Sequence, residues 1–394
     1  MKKLMLATAA TALMAGGAFA EDAKIGILLG YTGPLESITP AMADSAELAI
    51  KEVNDSGKFM DGGKVTAIRA DSTCIDAAAA TAAAERLVTA EGINAIMGAD
   101  CSGVTGSVLQ NVARPNGIGM ISPSATSPGL SSAEDDGLFF RTSPSDARQG
   151  EVIADILTDR GVKSIAISYT NNDYGKGLSE SIAAAFAAKG GSVTANTAHE
   201  DGKADYSAEV ATLASAGGDV LVVAGYVDQG GKGIIQASLD TGAFDTFYLP
   251  DGMYGESLIA AIGDGLNGTY GTIPGTDSEG SALFVEMGKA AGFDPTSSFT
   301  GESYDAAALM LLSMAAAKST NSKDWTAKVM DIANAPGEKI LPGELGKALD
   351  LIAAGTEIDY VGATAVELVG NGESAGSFRE YTVTDGKFET DGFR

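Results

Sequence analysis

Short apolar runs alternate with longer segments of helical spacing along most of the chain. Apolar runs of about four to eight residues predict buried strands, and apolar residues recurring every three or four positions predict helices. The strands predicted in this way are 24–29, 64–70, 93–98, 118–121, 162–169, 192–197, 219–224, 245–249 and 270–273. The helices predicted between them are 41–53, 77–91, 102–113, 148–160, 175–189, 206–216 and 230–241. Such alternation is typical of parallel sheets covered by helices.

The alternation pauses once and then resumes, which predicts two α/β lobes of similar construction. The pause falls at Arg141–Ser145, and the pattern becomes helical after Pro274. The later helices and strand-like runs are predicted at 281–291, 304–317, 324–334, 378–383 and 387–389. Helices without a sheet of their own must pack on a sheet that is already formed. We therefore predict an α/β fold with two doubly wound parallel-sheet lobes.

The order of these segments requires the chain to pass between the lobes three times. Lobe 1 is predicted to comprise residues 21–143 and 275–374, and lobe 2 residues 144–274 and 375–394. The crossing segments are predicted at Arg141–Ser145, Thr272–Thr276 and Asn371–Ser377. Three connections side by side form a hinge and leave a cleft between the lobes. We expect a ligand to bridge both lobes in that cleft.

The first twenty residues predict a signal peptide. Lys2 and Lys3 give a positive start, Leu4–Ala15 is a short apolar core, and Ala18–Ala20 is a small-residue cleavage site before Glu21. The apolar core is too short to span a bilayer, and no later segment offers about twenty uninterrupted apolar residues. The mature protein is therefore expected to be residues 21–394, exported and not inserted in a membrane.

Export changes the interpretation of the two cysteines, Cys74 and Cys101. Disulfides form and persist in oxidising compartments. Each cysteine follows a predicted strand, and neighbouring parallel strands would bring their ends together. A redox-active or metal-binding pair is disfavoured because the C-x-x-C spacing and nearby histidines are both missing. We predict a structural disulfide and no metal site.

Composition excludes several enzyme classes. His199 is the only histidine, which leaves almost no room for Ser–His–Asp, Cys–His or multi-histidine metal sites, and its polar surroundings predict a surface position. The chain has neither a G-x-x-x-x-G-K-[ST] phosphate loop nor a G-x-S-x-G nucleophile turn. The formal net charge of −26 argues against binding to nucleic acid or to an anionic membrane. We expect a protein without catalytic activity or a cofactor.

Two loops that follow neighbouring strands carry the most informative polar residues. Ser122–Pro128 follows one apolar run, and Asp100–Gly103 follows another. Ligands of open α/β sheets bind outside the carboxyl ends of the strands, so these hydroxyls and free N–H groups predict a small anion-binding shelf. Ser102 also opens a predicted helix, where N–H groups favour an anion. The alternative is that Ser102 and Thr126 only cap helices or turns.

Seven motifs resemble one family in order along essentially the whole mature chain. They are Gly30-Tyr-Thr-Gly-Pro34, Asp71-Ser-Thr-Cys74, Gly98-Ala-Asp-Cys-Ser102, Met120-Ile-Ser-Pro-Ser-Ala-Thr-Ser-Pro128, Asp173-Tyr-Gly-Lys-Gly177, Ala224-Gly-Tyr226 and Phe247-Tyr-Leu-Pro-Asp-Gly252. Together with the paired cysteines, they resemble the periplasmic leucine/isoleucine/valine-type binding proteins of bacterial ABC transporters. The resemblance implies a type I periplasmic binding protein fold of the Venus-flytrap kind. It also implies a periplasmic monomer that delivers a branched-chain or related amino acid to a membrane permease.

The resemblance also implies roles for individual residues. Ser102, Ser124 and Thr126 hold the positions that bind the α-carboxylate of an amino acid. Asp251 and Tyr226 hold the positions that meet the α-ammonium. The alternative interpretation of Asp251 is an Asp-Gly turn. Family members often carry glutamate there, and aspartate is one methylene shorter.

The remaining predicted contacts are less certain in their roles. Tyr174 joins the ammonium side from a third loop. Glu36, Ile38, Met253 and Tyr254 are candidates for the pocket that receives the ligand's side chain. The family often has an aromatic residue where this chain has Ile38, which leaves more room. Glu36 would favour a basic or amino-bearing ligand, or it is simply a solvated loop residue.

Two alternatives to a transport protein for amino acids stay open on the sequence. The same two-lobe fold serves as a sensing domain, so the chain could be a free-standing ligand-sensing subunit. The ligand could also be a different solute, such as a small amide or carboxylate. In each case the expected activity is binding, with closure of the cleft around the ligand.

Overall fold

Two seven-stranded sheets organise the protein, a computed structural model that describes residues 21–394. The predicted signal peptide lies outside the described residues. The strands, in chain order, are β1 (Ala23–Leu29), β2 (Val65–Asp71), β3 (Ala95–Gly98), β4 (Gly119–Ser122), β5 (Phe139–Pro144), β6 (Ser164–Thr170), β7 (Ser192–His199), β8 (Val220–Ala224), β9 (Phe247–Leu249), β10 (Tyr270–Pro274), β11 (Glu338–Ile340), β12 (Ile358–Tyr360), β13 (Leu368–Val369), β14 (Glu373–Ser374), β15 (Phe378–Thr384) and β16 (Lys387–Phe393).

The helices connect strands and cover the sheets. They are α1 (Thr39–Ser56), α2 (Ala77–Arg86), α3 (Ser102–Val108), α4 (Arg114–Asn116), α5 (Asp146–Asp159), α6 (Asp173–Ala188), α7 (Ser207–Ala216), α8 (Gly230–Thr241), α9 (Glu256–Ile262), α10 (Glu279–Ala291), α11 (Thr300–Ala317), α12 (Ser322–Ala333) and α13 (Leu345–Ala353). Wider turns at Leu87–Glu91 and Leu109–Ala113 continue α2 and α3. Short 3₁₀ turns occur at Phe59–Asp61, Pro128–Ser132, Asp251–Met253 and Gly263–Leu266.

Both sheets have a parallel centre. The first runs in the spatial order β13-β14-β5-β4-β3-β1-β2, and the second in the order β16-β15-β10-β9-β8-β6-β7. Neighbouring strands are parallel from β1 to β5 and from β6 to β10, whereas β15 and β16 pair in the antiparallel sense. Central strands such as β3 and β8 are buried along their whole length, as expected for parallel sheets covered on both faces. The predicted two-lobe α/β fold is confirmed.

The chain passes between the two sheets three times. It leaves the first sheet after β5, returns to it after β10, and leaves it again between β14 and β15. Two of these passages run side by side, because the N–H of Gly275 donates to the Ser377 carbonyl at 3.0 Å and the Ser377 hydroxyl donates back to Gly275 at 2.7 Å. The passages coincide with the predicted crossings, while their role as hinges and the exact lobe limits stay predictions.

Several short elements differ from the sequence-based prediction. Phe139–Pro144 is a buried strand, where the pattern indicated only a pause. The helices α9 and α13 and the strands β11 to β14 were not predicted. These strands span two or three residues, which is too short for an alternating pattern to stand out. The tail of the first lobe is therefore more structured than its sequence indicates.

The predicted surface position of His199 is wrong. The side chain is about 1% exposed at the end of β7, and its Nδ1 lies 2.9 Å from the hydroxyl of Ser168. The ring meets Tyr206 edge-on, with the ring centroids 6.3 Å apart. Burial lowers the pKa of His199 to about 4. The polar residues around it in the sequence lie on the loop beyond the strand, while the strand end itself turns inward.

Candidate ligand-binding cleft

A small cavity lies between the lobes, at the carboxyl ends of strands from both sheets. Its lining residues are Leu35, Asp100, Cys101, Ser102, Ser124, Tyr174, Tyr226, Asp251, Gly252 and Phe299. The empty space is about 260 Å³, including its opening. That value is near the lower end of the roughly 300–1,000 Å³ typical of small-molecule sites. Five of the six residues predicted to bind substrate line this cavity, and the sixth, Thr126, is buried on the same loop as Ser124.

Asp100 ties together the strand ends of the first lobe. Its carboxylate accepts the N–H of Gly30 at 2.9 Å and the hydroxyl of Ser72 at 2.7 Å, and it is about 1% exposed. The predicted disulfide joins Cys74 to Cys101, directly beside these bonds. The loops after β1, β2 and β3 are therefore cross-linked by hydrogen bonds and by a covalent bond. Sequence reasoning had given Asp100 no role of its own.

The two serines of the shelf already have protein partners. The Ser102 hydroxyl oxygen accepts the N–H of Ser127 at 3.1 Å, which leaves its proton free to donate to an anion. The Ser124 hydroxyl donates to the Asp100 carbonyl at 2.9 Å, which leaves only its lone pairs for a ligand. Within residues 21–394, the Thr126 hydroxyl is buried without a hydrogen-bond partner. The shelf therefore offers donors from Ser102 and Thr126.

Arg141 holds the Ser122–Pro128 loop from behind. Its guanidinium donates to the carbonyls of Ala125 and Ser127 at 3.0 and 2.9 Å. It also pairs with Glu373, and its side chain is about 1% exposed. Backbone carbonyls that point back to Arg141 leave the other side of the loop to face the cleft. The sequence had placed this residue only in a crossing segment.

The wall of the second lobe centres on Asp251. Tyr174 donates its phenolic proton to one carboxylate oxygen at 2.6 Å, and the Gly252 N–H donates to the same oxygen at 2.8 Å. The rings of Tyr174 and Tyr226 stack with centroids 5.2 Å apart. Asn172 donates to the Tyr226 phenol at 3.3 Å and fixes that ring. Three predicted residues thus meet in one contact network.

The second oxygen of Asp251 is buried and, in the described part of the chain, has no hydrogen-bond partner. Burial raises the pKa of this carboxyl to about 6. Asp146, at the start of α5, lies near enough to interact electrostatically with Asp251, and burial raises its pKa as well. Two buried carboxyl groups without a cation nearby leave a cationic ligand group a favourable place. The sequence analysis did not identify Asp146.

The candidates for the side-chain pocket lie elsewhere. Glu36 is exposed, whereas Ile38, Met253 and Tyr254 are buried outside the cavity lining. Tyr254, for example, packs its ring against Tyr381 with centroids 5.0 Å apart.

The apolar part of the cavity wall is formed instead by two other side chains. Leu35 lies in the predicted loop beside Glu36, and Phe299 lies just before α11. The alternation of strands and helices gives no signal for either residue, because both stand in irregular segments. A pocket for an apolar group is therefore present, with different walls from those predicted.

The lobes touch beyond the cavity, at the mouth of the cleft. The N–H of Ser37 donates to the Asp228 carboxylate at 2.9 Å, and the Asp228 N–H donates to the Pro34 carbonyl at 3.1 Å. The Ser257 hydroxyl donates to the other Asp228 oxygen at 2.7 Å and lies 3.1 Å from the Ser37 hydroxyl. The structure is therefore a closed arrangement of the two lobes.

Sequence comparisons match almost the whole mature chain. A family model described as periplasmic binding protein matches residues 22–337. The Leu/Ile/Val-binding protein homolog 1 of Brucella abortus (strain 2308) is 31% identical over 336 residues, which cover 84% of this chain and 88% of that protein. The Leu/Ile/Val/Thr-binding protein of Salmonella typhimurium is 29% identical over 307 residues, covering 77% and 82%.

Solved structures share the fold. The branched-chain amino acid transporter substrate binding protein LivJ of Streptococcus pneumoniae, solved with isoleucine, superposes with a TM-score of 0.77 at 22% identity, over 95% of this chain and 99% of that one. A solute binding protein of R. palustris in complex with 4-hydroxybenzoate gives 0.75 at 18% identity, over 95% and 97%. Among residues 21–394, no helix has the length and apolar character needed to cross a membrane.

Proposed function

The chain belongs to the periplasmic binding protein family, and from that membership we propose that it captures an α-amino acid between its lobes and delivers it to an ABC permease. Family membership makes the chain a binding protein rather than an enzyme. The single observation that carries the choice of ligand is the buried Asp251, which lines the cavity with one carboxylate oxygen free of partners in the described residues. A buried carboxylate of this kind needs a cation.

The opposite walls of the cavity suit the two ends of a zwitterion. On the first lobe, the hydroxyls of Ser102 and Thr126 are able to donate to a carboxylate. On the second lobe, Asp251 is able to pair with an ammonium group, with Tyr174 and Tyr226 beside it. A ligand with both charges joins the two walls and thereby favours the closed arrangement.

The cavity size and its apolar wall favour a small or medium aliphatic side chain. Leu35 and Phe299 supply apolar surface, and about 260 Å³ of empty space leaves no room for a large ligand. Relatives named for binding leucine, isoleucine and valine agree with this size. We therefore place the ligand among the branched-chain and similar amino acids.

The role in transport rests on the family and on the predicted signal peptide. We propose that the precursor is exported to the periplasm, that residues 1–20 are removed, and that a monomer docks on the permease after closure around its ligand. The three crossing segments then act as the hinge. Small-angle scattering with and without ligand tests this part, since closure reduces the radius of gyration. An unchanged radius at saturation contradicts the proposed closure.

A thermal-shift screen tests the choice of ligand. A ligand that binds only the folded protein raises the melting temperature by mass action. The panel contains the branched-chain amino acids, alanine, threonine, benzoate, 4-hydroxybenzoate and small amides. We expect stabilisation by one or more amino acids and none by the benzoates. The reverse result supports a carboxylate-binding protein, for which Asp251 is a poor neighbour, and overturns the proposal.

A further inference from the structure

A second pocket lies behind the ligand cavity, where the chain crosses between the lobes. We call it the hinge pocket. It has an empty volume of about 570 Å³ including its opening. Its walls come from both sides of the crossing, with Pro274–Thr276 and Arg379 on one side and Phe284, Val285, Phe299 and Glu302 on the other. Phe299 lines the ligand cavity as well, so one ring separates the two spaces.

Arg379 is the polar feature of this pocket that the fold leaves incomplete. Two guanidinium nitrogens, Nε and Nη2, are buried and have no hydrogen-bond acceptor among residues 21–394. The guanidinium lies over the ring of Tyr254 at 5.1 Å, a contact that satisfies the charge in part but accepts no N–H in its plane. Buried N–H donors of a charged group normally have acceptors. The hinge pocket is the space that adjoins this side chain.

Glu302 faces the same space from the first turn of α11. It is about 4% exposed, and its backbone carbonyl accepts the hydroxyl of Thr142 from the first crossing at 2.8 Å. Burial raises the pKa of Glu302 to about 8, so the group is a neutral acid near pH 7 and is able to donate its proton. Arg379 and Glu302 together therefore offer hydrogen-bond donors. The partner they fit is an anion.

The remaining walls define the rest of the occupant. The rings of Phe284 and Phe393 and the side chain of Val285 contribute apolar surface to the pocket. An inorganic anion would leave this surface in contact with water, whereas a short hydrocarbon chain would cover it.

We propose that the hinge pocket is a second binding site, for a small organic carboxylate with a short apolar chain. The carboxylate accepts hydrogen bonds from Arg379 and Glu302, and the chain packs on Phe284, Val285 and Phe393. The site is separate from the ligand cavity and does not depend on which solute the cavity takes. Because its walls belong to segments on both sides of the crossing, an occupant contacts the parts that move when the lobes close.

Calorimetric titration with sodium butyrate tests the site on residues 21–394. Wild type is expected to bind in the millimolar range, which the small size of butyrate allows. Arg379→Gln removes the charged donor and should weaken binding about tenfold or more. Val285→Trp fills the apolar end without changing a charge and should weaken it as strongly. Arg148→Gln, an exposed arginine on α5, is the matched control and should bind as wild type does.

Location and pH provide two further readouts. A crystal structure with butyrate should show the carboxylate beside Arg379, and binding should weaken between pH 7 and pH 9 as Glu302 ionises. The groups that act on Glu302 are Asp305, Asp251 and Arg379; the two carboxyls, with pKa values of about 6, are already ionised in this range. Absence of binding at saturating butyrate, equal binding by Arg379→Gln, or butyrate found beside Ser102 instead overturns the proposal. None of these results bears on amino-acid binding, which the thermal-shift screen tests separately.

Discussion

The two walls of the ligand cavity are built on opposite principles. In the first lobe the Asp100 carboxylate and the Ser102 and Ser124 hydroxyls have protein partners, and a disulfide binds the loops together. In the second lobe Asp251, and behind it Asp146, keep buried oxygens without partners in residues 21–394. The first wall is complete without a ligand, whereas the second needs one. We infer that the first wall supplies a fixed shape and the second supplies most of the electrostatic gain on closure.

Removal of the disulfide should show how much the first wall depends on its covalent link. Replacing Cys74 and Cys101 together by serine should lower the free energy of unfolding by roughly 3–4 kcal/mol by the loop-entropy model. Urea unfolding of the variant and the wild type measures this difference. Thiol titration of the unreduced, denatured wild type should find no free cysteine. Two reactive thiols per chain, or a variant as stable as wild type, would contradict the expectation.

Neutralising Asp251 should disable the second wall. The ammonium of a bound zwitterion leaves water on closure, and Asp251→Asn removes its countercharge. The loss should be about 2–4 kcal/mol, or roughly thirty- to a thousand-fold in affinity. Calorimetric titration with the amino acid found by screening measures the loss.

Glu36→Gln is the matched control, because it also removes one negative charge. Glu36 is exposed at the mouth of the cleft and is screened by solvent, so this change should cost less than about 1 kcal/mol. Wild-type affinity in Asp251→Asn would mean that the ligand is not an amino acid held in this way.

Acid should weaken the second wall while the first stays intact. Asp251 has a pKa of about 6 without ligand, and only its ionised form pairs with an ammonium. Affinity should therefore be constant at higher pH and fall as the pH drops through about 6, to about tenfold weaker at pH 5 than at pH 7. The charges of an α-amino acid do not change in this range. A titration series over pH 5–8 tests the sign, and tighter binding in acid would refute it.

The contacts at the mouth of the cleft should have the smallest effect. Ser257→Ala removes a hydroxyl that bonds to Asp228 and lies beside Ser37. A hydrogen bond of this kind is worth about 0.5–1.5 kcal/mol, so affinity should fall a few-fold. The loss should be the same for every ligand in the panel, because Ser257 touches none of them. A loss confined to one ligand would show that the mouth takes part in recognition.

The sequence predicted the charged and hydroxyl-bearing residues of the cavity better than its apolar ones. Ser102, Tyr226 and Asp251 each follow a strand, and the strand pattern alone brings such residues to one edge of a sheet. Leu35 and Phe299 stand in loops, where position depends on how distant segments pack. Phe299 even adopts a positive φ of 63°, a conformation that no hydrophobic pattern announces.

The same limit explains the failure at His199 and the absence of Asp146 from the predicted site. Both residues lie beside polar neighbours in the sequence, and both are buried because one element packs over another. His199 is covered by Tyr206, and Asp146 begins the helix after the first crossing. Local polarity indicates how a residue would behave on a surface. It does not indicate which surface the fold then covers.

The bonds between Asp228, Ser37 and Ser257 have a consequence for selectivity. They form on closure whatever solute lies inside, so they strengthen every complex by the same factor and leave the ratio between two affinities unchanged. A mutation that strengthened them would produce a tighter receptor with no better discrimination, and one that also closed more often when empty. Discrimination between solutes therefore has to come from the cavity, and the mouth sets only the concentration at which the protein responds.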